Sequence, residues 1–333
     1  MRIFALASFW LTISGGASVL AGCGESPLSG ATGPIPRGDT PAARAAHHRS
    51  WMSPGAAKGD LMYVADTKDD VVNVYTYPTE KLAGTLTGFE GLSFLCVDRT
   101  GDVFIPSYGL SEILEYAHGG TSPIATLKVK DGTTYACAVD SKSGNLALTT
   151  LMAGENTEGE VLVYAHARGT PRTHPIYQLE NAYFCSYDDA GDLFVDGNVS
   201  GGSGGSYGLV ELTKGAHQFQ TVTLDHLPAY ANGLQWEGSY LAVGAGTIAG
   251  PSSGNTYVYH MQVSHFIART IGTTQLKEDG PTATFFIDGS TILVAGGETQ
   301  PRVDFFAYPA GGKPSKTLPE TSPYGVVVST AAR

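Results

Sequence analysis

The chain has 333 residues and a formal net charge of −11, from 20 basic and 31 acidic residues. This balance argues against a nucleic-acid partner, because phosphate backbones are bound by clustered Lys and Arg side chains. Glycine is abundant, with 43 residues, and charged residues make up only 15% of the chain. Such a composition is typical of a turn-rich all-β protein and differs from that of disordered chains.

Residues 1–22 have the pattern of an export signal. Arg2 precedes a short apolar run over Ile3–Ile13, which predicts a cleaved signal rather than a membrane-spanning helix. Small residues follow and end at Leu20-Ala21-Gly22-Cys23, which resembles the lipobox of bacterial lipoproteins. The resemblance implies cleavage before Cys23 and lipid attachment to its thiol. It places the protein in the bacterial cell envelope, anchored to a membrane, and in the outer membrane if the host has one.

The segment 23–58 is predicted to be the lipidated Cys followed by a flexible tether. Gly, Ser, Pro, Ala and Thr dominate it, and these residues cannot build a packed core. His47 and His48 are adjacent within this segment and are interpreted as solvated side chains rather than as metal ligands.

Six copies of one strand-turn-strand pattern run from Gly59 to Thr330. Each copy opens on a short apolar strand, continues through a Gly-containing turn, and adds two more strands rich in Val and Tyr. The openers begin 41, 48, 47, 52 and 42 residues apart, at Phe94, Tyr135, Tyr183, Tyr230, Thr282 and Tyr324. Repeats of this period predict a β-propeller. The predicted fold is therefore an all-β, six-bladed propeller over 59–333.

The first copy lacks an opener, and the last opener, Tyr324–Val328, has no strands after it. We expect this terminal strand to pair with Leu61–Ala65 and so complete blade one. Such a closure would leave few exposed sheet edges.

One end of the predicted ring carries most of the unusual residues. This end, called the mouth face, is where the innermost strands begin; the other end, the turn face, carries the first hairpin turns. Three long loops, at 152–160, 197–208 and 244–255, belong to blades three to five and reach the mouth face. Candidate ligand-binding residues there are Phe94, Tyr135, Tyr183, Tyr230, Asn232 and Tyr324. The alternative is that these aromatic residues serve packing between blades.

Three cysteines lie two residues after the opener aromatics of blades two to four: Cys96, Cys137 and Cys185. Because each cysteine lies at the same position relative to its opener aromatic, we expect the three side chains to face the same way at the same depth in their blades. A disulfide requires Cα atoms within about 7 Å, and equivalent positions on adjacent blades are expected to be farther apart than that. We therefore predict three buried, unpaired thiols. Aspartates around Gly101 and Gly191 are interpreted as turn residues, and no metal site, cofactor or catalytic triad is predicted.

The blade pattern, an aromatic opener ending in Val-Asp, a Gly turn and a later Val-x-Val-Tyr, resembles the NHL-repeat propellers. More broadly it is similar to the gluconolactonase/regucalcin-like superfamily, whose enzymes bind a divalent metal in the channel through Glu, Asn and Asp. Here Asn232 is the matching polar residue. Two interpretations follow: a non-enzymatic binding or scaffold module with an unknown protein or small-molecule ligand, or a metal-dependent hydrolase or lyase. The second would use Asn232 with Glu155, Glu158 or Asp279.

Overall fold

The computed structural model describes residues 49–129, 133–151, 159–199, 206–245, 255–278 and 283–332. These residues form six β-sheets, antiparallel except for one edge pairing in blade five, and the sheets are arranged as a six-bladed β-propeller, which confirms the predicted fold. Within the described residues there is no α-helix, only two short 3-10 turns at Ala56–Lys58 and Ala165–Ala167. The same residues contain no helix with the length and apolar character needed to cross a membrane.

Each blade runs from an inner strand at the channel to an outer strand at the edge of the ring. From the centre outward, blade one contains Pro323–Ser329, Leu61–Asp66, Val71–Thr76, Leu82–Leu86 and Trp51–Met52. Blade two contains Cys96–Val97, Val103–Ser107, Glu112–Tyr116 and Pro123–Lys128. Blade three contains Thr133–Val139, Leu146–Leu151, Gly159–Tyr164 and Arg172–Ile176.

The remaining blades follow the same order. Blade four contains Leu179–Tyr187, Leu193–Val199, Tyr207–Leu212 and Gln220–Thr221. Blade five contains Ala231–Trp236, Leu241–Ala245, Asn255–Ser264, Ile267–Lys277 and, paired in parallel at its edge, Thr223–Leu224. Blade six contains Thr284–Asp288, Thr291–Ala295, Arg302–Ala307 and Lys316–Pro319.

The ring closes through the end of the chain. Leu61 pairs with Ser329 and Val64 pairs with Val326 in an antiparallel ladder, so the predicted sharing of blade one is confirmed. Because the terminal strand is the innermost strand of this blade, the first and last parts of the repeat region are joined at the channel wall.

Blade one begins earlier in the chain than the sequence predicts. Trp51 and Met52, which the sequence assigns to the tether, pair with Thr85 and Gly84 and form a fifth strand at the outer edge. Gly84 allows this approach, since a Cβ at this position would lie 2.6 Å from the Met52 sulfur. The segment was missed because two paired residues are too few to show a strand alternation.

The core lies between adjacent blades, and successive residues along a strand pack into different parts of it. On the second strand of blade three, Leu146 and Leu148 pack into the cluster shared with blade two, whereas Ala147 packs into the cluster shared with blade four. Successive side chains point to opposite faces of a strand, so each blade contributes to two interfaces. This packing fixes the six inner strands around the channel.

Candidate functional site

The channel holds a cavity of about 450 Å³ lined by the inner strands of all six blades. Its outermost lining residues belong to the first hairpin turns of blades two to five, namely Asp98, Arg99, Ser141, Asp189 and Gly238. The cavity therefore opens on the turn face, at the end of the ring opposite the predicted mouth.

A layer of aromatic rings closes the inner end of this cavity. The ring centroid of Phe94 lies 4.8 Å from Tyr135, 4.8 Å from Phe184 and 5.1 Å from Tyr324. Tyr183 extends the layer, with its ring centroid 5.2 Å from that of Tyr135. Of these five residues, Phe94 and Phe184 line the cavity. The aromatic layer thus separates the cavity from the mouth face.

The structure brings together four of the six candidate ligand residues, Phe94, Tyr135, Tyr183 and Tyr324, in this layer. Tyr230 lies apart from it and is 41% exposed, just before the inner strand of blade five. Asn232 is buried on that strand. The long loops predicted to surround the mouth fall largely outside the described residues, at 152–158, 200–205 and 246–254. A ligand role for the six residues stays a prediction.

Most of the side chains that line the cavity are apolar, and polar atoms contribute nearly as much of its surface as apolar atoms do. Buried residues that contribute to them include Leu95, Leu234, Phe285, Val326 and Val327. On the wall from blade five, the Gln235 side chain is fixed by two hydrogen bonds to Ile287: it donates to the carbonyl at 2.8 Å and accepts from the N–H at 2.9 Å. The wall therefore combines apolar contact area with a polar group of fixed orientation.

Trp236 is the next residue on this wall, and its ring stacks on Phe194 with 6.4 Å between centroids. Its backbone N–H donates to the Ser186 hydroxyl at 2.9 Å. The indole nitrogen is buried and has no hydrogen-bond partner among the described residues. Sequence analysis missed Ser186, Gln235 and Trp236 because they lie near the turn rather than at the opener; counting residues back from each hairpin turn would have identified them.

The cysteine prediction is wrong for two of three residues. Cys96 and Cys137 form a disulfide with Cα atoms 5.5 Å apart, and both line the cavity. Counted from the turns, Cys96 is two residues before Asp98 and pairs with Phe104, whereas Cys137 is three residues before Asp140 and pairs with Leu148. The blade-two opener is one residue shorter, so its cysteine points toward blade three while Cys137 points toward blade two.

Cys185 is free and buried, as predicted. Cys185 lies three residues before Asp188, just as Cys137 lies three residues before Asp140, and it packs with Ala147 and Val161 of blade three. Burial raises the pKa of the Cys185 thiol well above its usual value, and the nearby Asp196 carboxyl adds to this effect. The thiol is therefore protonated at neutral pH and is a poor nucleophile.

A buried carboxyl group lies behind the aromatic layer. Asp196 is fully buried on the second strand of blade four, where its Oδ1 accepts the backbone N–H of Phe184 at 2.9 Å. The Tyr207 hydroxyl donates to its other oxygen at 3.4 Å. Burial raises the pKa of Asp196 to about 7, and these two hydrogen bonds oppose the shift. Its polar contacts hold the irregular inner strand of blade four in place.

Within the described residues, no group of three or more His, Cys, Asp or Glu side chains is placed to hold a metal ion. Asp98 accepts hydrogen bonds from the backbone N–H groups of Thr100 and Asp102 and acts as a turn residue. Glu155, Glu158 and Asp279, the acidic residues of the enzymatic alternative, lie outside the described residues, as does Cys23.

Comparisons with known proteins identify a fold and no family. No protein-family model and no curated protein matches the chain. Among solved structures, a chain of a nidogen/laminin complex is similar with a TM-score of 0.59 and 11% identity, covering 83% of this chain and all of that one. A functionally unknown protein from Desulfotomaculum acetoxidans DSM 771 has a TM-score of 0.55 and 10% identity, covering 82% of this chain and 99% of that one. At such identities the likeness shows the propeller fold alone.

Proposed function

We propose that the protein is a binding module of the bacterial cell envelope that holds the apolar part of a ligand in the channel cavity. The observation that carries the proposal is the cavity itself: about 450 Å³, open on the turn face, and lined by mostly apolar side chains. Small-molecule sites in proteins generally have this size and character, with a few fixed polar groups that orient the ligand.

The cavity is suited to a preformed site. Its inner strands are held by the ring closure between Leu61 and Ser329 and by the disulfide between blades two and three. A rigid site loses little conformational entropy when a ligand binds, which favours affinity. On the blade-five wall, both amide hydrogens of Gln235 are donated within the protein, and its amide oxygen keeps a lone pair that could accept a hydrogen bond from the ligand.

The envelope location rests on Cys23 and the lipobox-like sequence before it. A lipid on Cys23 would retain the module at a membrane surface, and residues 24–48 would connect the anchor to blade one. We propose binding without catalysis because the lining combines mostly apolar side chains with charged ones near the opening, such as Asp98 and Arg99.

A neutral fluorescent probe, N-phenyl-1-naphthylamine, tests the proposed site. Its emission should rise on addition of the wild-type protein, because the fluorophore moves from water into an apolar cavity. Ala138 lines the cavity and is partly exposed, so Ala138→Phe should fill part of it and weaken probe binding by roughly tenfold.

Ser122→Phe is the matched control, since it adds the same ring at an exposed turn of blade two, outside the cavity lining. This variant should bind the probe as the wild type does. Equal binding by all three proteins would show that the probe reports surface adsorption, and the proposed site would be rejected.

A further inference from the structure

A second cavity, of about 280 Å³, lies between blades three and four and is lined by turns of the turn face, on which the channel cavity also opens. Its lining includes the turn residues Ser143 and Asn145 of blade three and Gly191 and Gly215 of blade four. Tyr187, at the end of the blade-four inner strand, lines both this cavity and the channel cavity. One side chain therefore forms a wall common to two openings on the turn face.

Two cationic side chains lie at the second cavity without a carboxylate partner. Arg172 donates to Nδ1 of His217 at 2.5 Å, and neither Arg172 nor Lys214 forms an ion pair with any described residue. The pKa of His174, which also lines the cavity, is lowered by burial first and then by the charge of Arg172. Among the residues that line this cavity, Arg172 and Lys214 are cationic and Asp140 is anionic.

The acidic groups nearby are engaged elsewhere. Asp140 lines the cavity, but its Oδ1 accepts the backbone N–H of Lys142 at 2.9 Å and its Oδ2 accepts the Ser143 hydroxyl. Asp192 accepts the backbone N–H of Lys214 at 2.6 Å. Both carboxylates stabilise turns and keep their negative charge, but among the described residues neither forms an ion pair with Arg172 or Lys214. The guanidinium and ammonium groups therefore retain donors for an external anion.

We propose that the two cavities together receive one amphipathic anion, with its apolar chain in the channel cavity and its headgroup against Arg172 and Lys214 across Tyr187. This inference rests on the proposed function and names the ligand class for it. A carboxylate or a phosphate monoester has the required headgroup, because each accepts hydrogen bonds from Arg and Lys. Burial keeps the Tyr187 hydroxyl protonated by raising its pKa, so this residue can donate a hydrogen bond along the path.

Competition against bound N-phenyl-1-naphthylamine separates the headgroup from the chain. Decanoate, monodecyl phosphate and 1-decanol have the same alkyl chain, and the two anions should displace the probe at lower concentration than the alcohol. In the double variant Arg172→Gln/Lys214→Gln, the affinity for decanoate should fall by roughly tenfold or more, with the affinities for 1-decanol and for the probe unchanged. Lys81→Gln, which removes an exposed charge from blade one, is the matched control and should change none of them.

The outcomes distinguish the two proposals. If the probe binds but the double variant keeps the wild-type preference for decanoate over 1-decanol, the headgroup site is wrong and the apolar site stands. If the probe does not bind, the proposed function fails. Calorimetry then tests the headgroup site by comparing the affinity of decanoate for the wild type with its affinity for the double variant. A preference for monodecyl phosphate over decanoate would assign a phosphate headgroup; the reverse would assign a carboxylate. Anion binding should also weaken at high salt.

Discussion

Cys96 and Cys137 lie on inner strands of neighbouring blades and are covalently joined beside the channel cavity. The bond closes a loop with a sequence separation of 41 residues, which spans the remaining three strands of blade two. It therefore links two blades whose remaining contacts across the interface are non-covalent.

We expect the double variant Cys96→Ser/Cys137→Ser to lose up to about 4 kcal/mol of unfolding free energy, because the unfolded chain gains the entropy of the open loop. Urea unfolding with and without a reducing agent measures the effect. The reductant should destabilise the wild type and a Cys185→Val variant but leave the double variant unchanged. Equal stability of wild type and double variant under oxidising conditions would contradict a structural role for the bond.

The terminal strand provides a second test. Deleting residues from Pro323 onward removes the inner strand of blade one and exposes the edge of Leu61–Asp66 to solvent. A domain is ordinarily stable by only about 5–15 kcal/mol, so we expect the truncated chain to aggregate or to melt far below the full chain. Deleting residues 24–48 is the control and should leave the melting temperature unchanged. A terminal truncation that melts like the full chain would refute the shared blade.

Asp196 should make stability depend on pH. Its pKa is raised to about 7, against an ordinary value near 4 in the unfolded chain, so the folded state binds the proton more tightly. The contribution of the protonated Asp196 carboxyl to the free energy of unfolding is fully present below about pH 4 and is lost as the pH rises through 7. Asp196→Asn keeps an acceptor for the Phe184 N–H but cannot ionise.

Urea unfolding at pH 5 and pH 8 measures this dependence. Between pH 5 and pH 8, the free energy of unfolding of the wild type should fall by about 2 kcal/mol more than that of Asp196→Asn. Glu237 also has a pKa raised to about 7, mainly by burial, and contributes to both proteins alike, so the difference between them isolates Asp196. Identical pH dependence in wild type and variant would show that the Asp196 carboxyl is not the titrating group.

Lipid attachment at Cys23 is tested in cells. Cys23→Ala should release the protein from the membrane fraction and abolish labelling by a fatty-acid analogue, because the alkylated thiol is gone. Cys185→Ala is the matched control and should keep both properties. Membrane retention of Cys23→Ala without labelling would show that residues 1–22 act as something other than a lipoprotein signal.

The repeat in the sequence was sufficient to predict the blades and their closure, because the unmatched opener Tyr324–Val328 had one possible partner strand. The repeat did not predict the disulfide, because the direction of each cysteine side chain depends on a difference of one residue in the length of the opener. Counting from the aromatic residue aligns Cys96 with Cys137, but strand pairing is fixed at the hairpin turn, and the shorter opener reverses the direction of Cys96.

The position of the cavity was also beyond the sequence. Phe94 and Tyr135 were expected near an open mouth. Whether aromatic side chains border the channel or fill it depends on the contacts that they make with aromatic side chains of other blades. The rings of Tyr324, Phe94, Tyr135 and Tyr183 form a row in which the centroids of successive rings are about 5 Å apart, so they occupy the channel at this level. The open cavity is left on the turn face, where the repeat shows only hairpin glycines and aspartates.

The direction in which the chain enters blade one has a consequence for access. Trp51–Met52 runs parallel to the terminal strand, so the residues just before Trp51 approach from the mouth face, and the Ser50 hydroxyl contacts the end of the Leu82–Leu86 strand through Thr87. The cavity opens at the other end of the ring. The described residues that precede Trp51 therefore lie at the end of the ring opposite the opening, and neither of them borders the cavity.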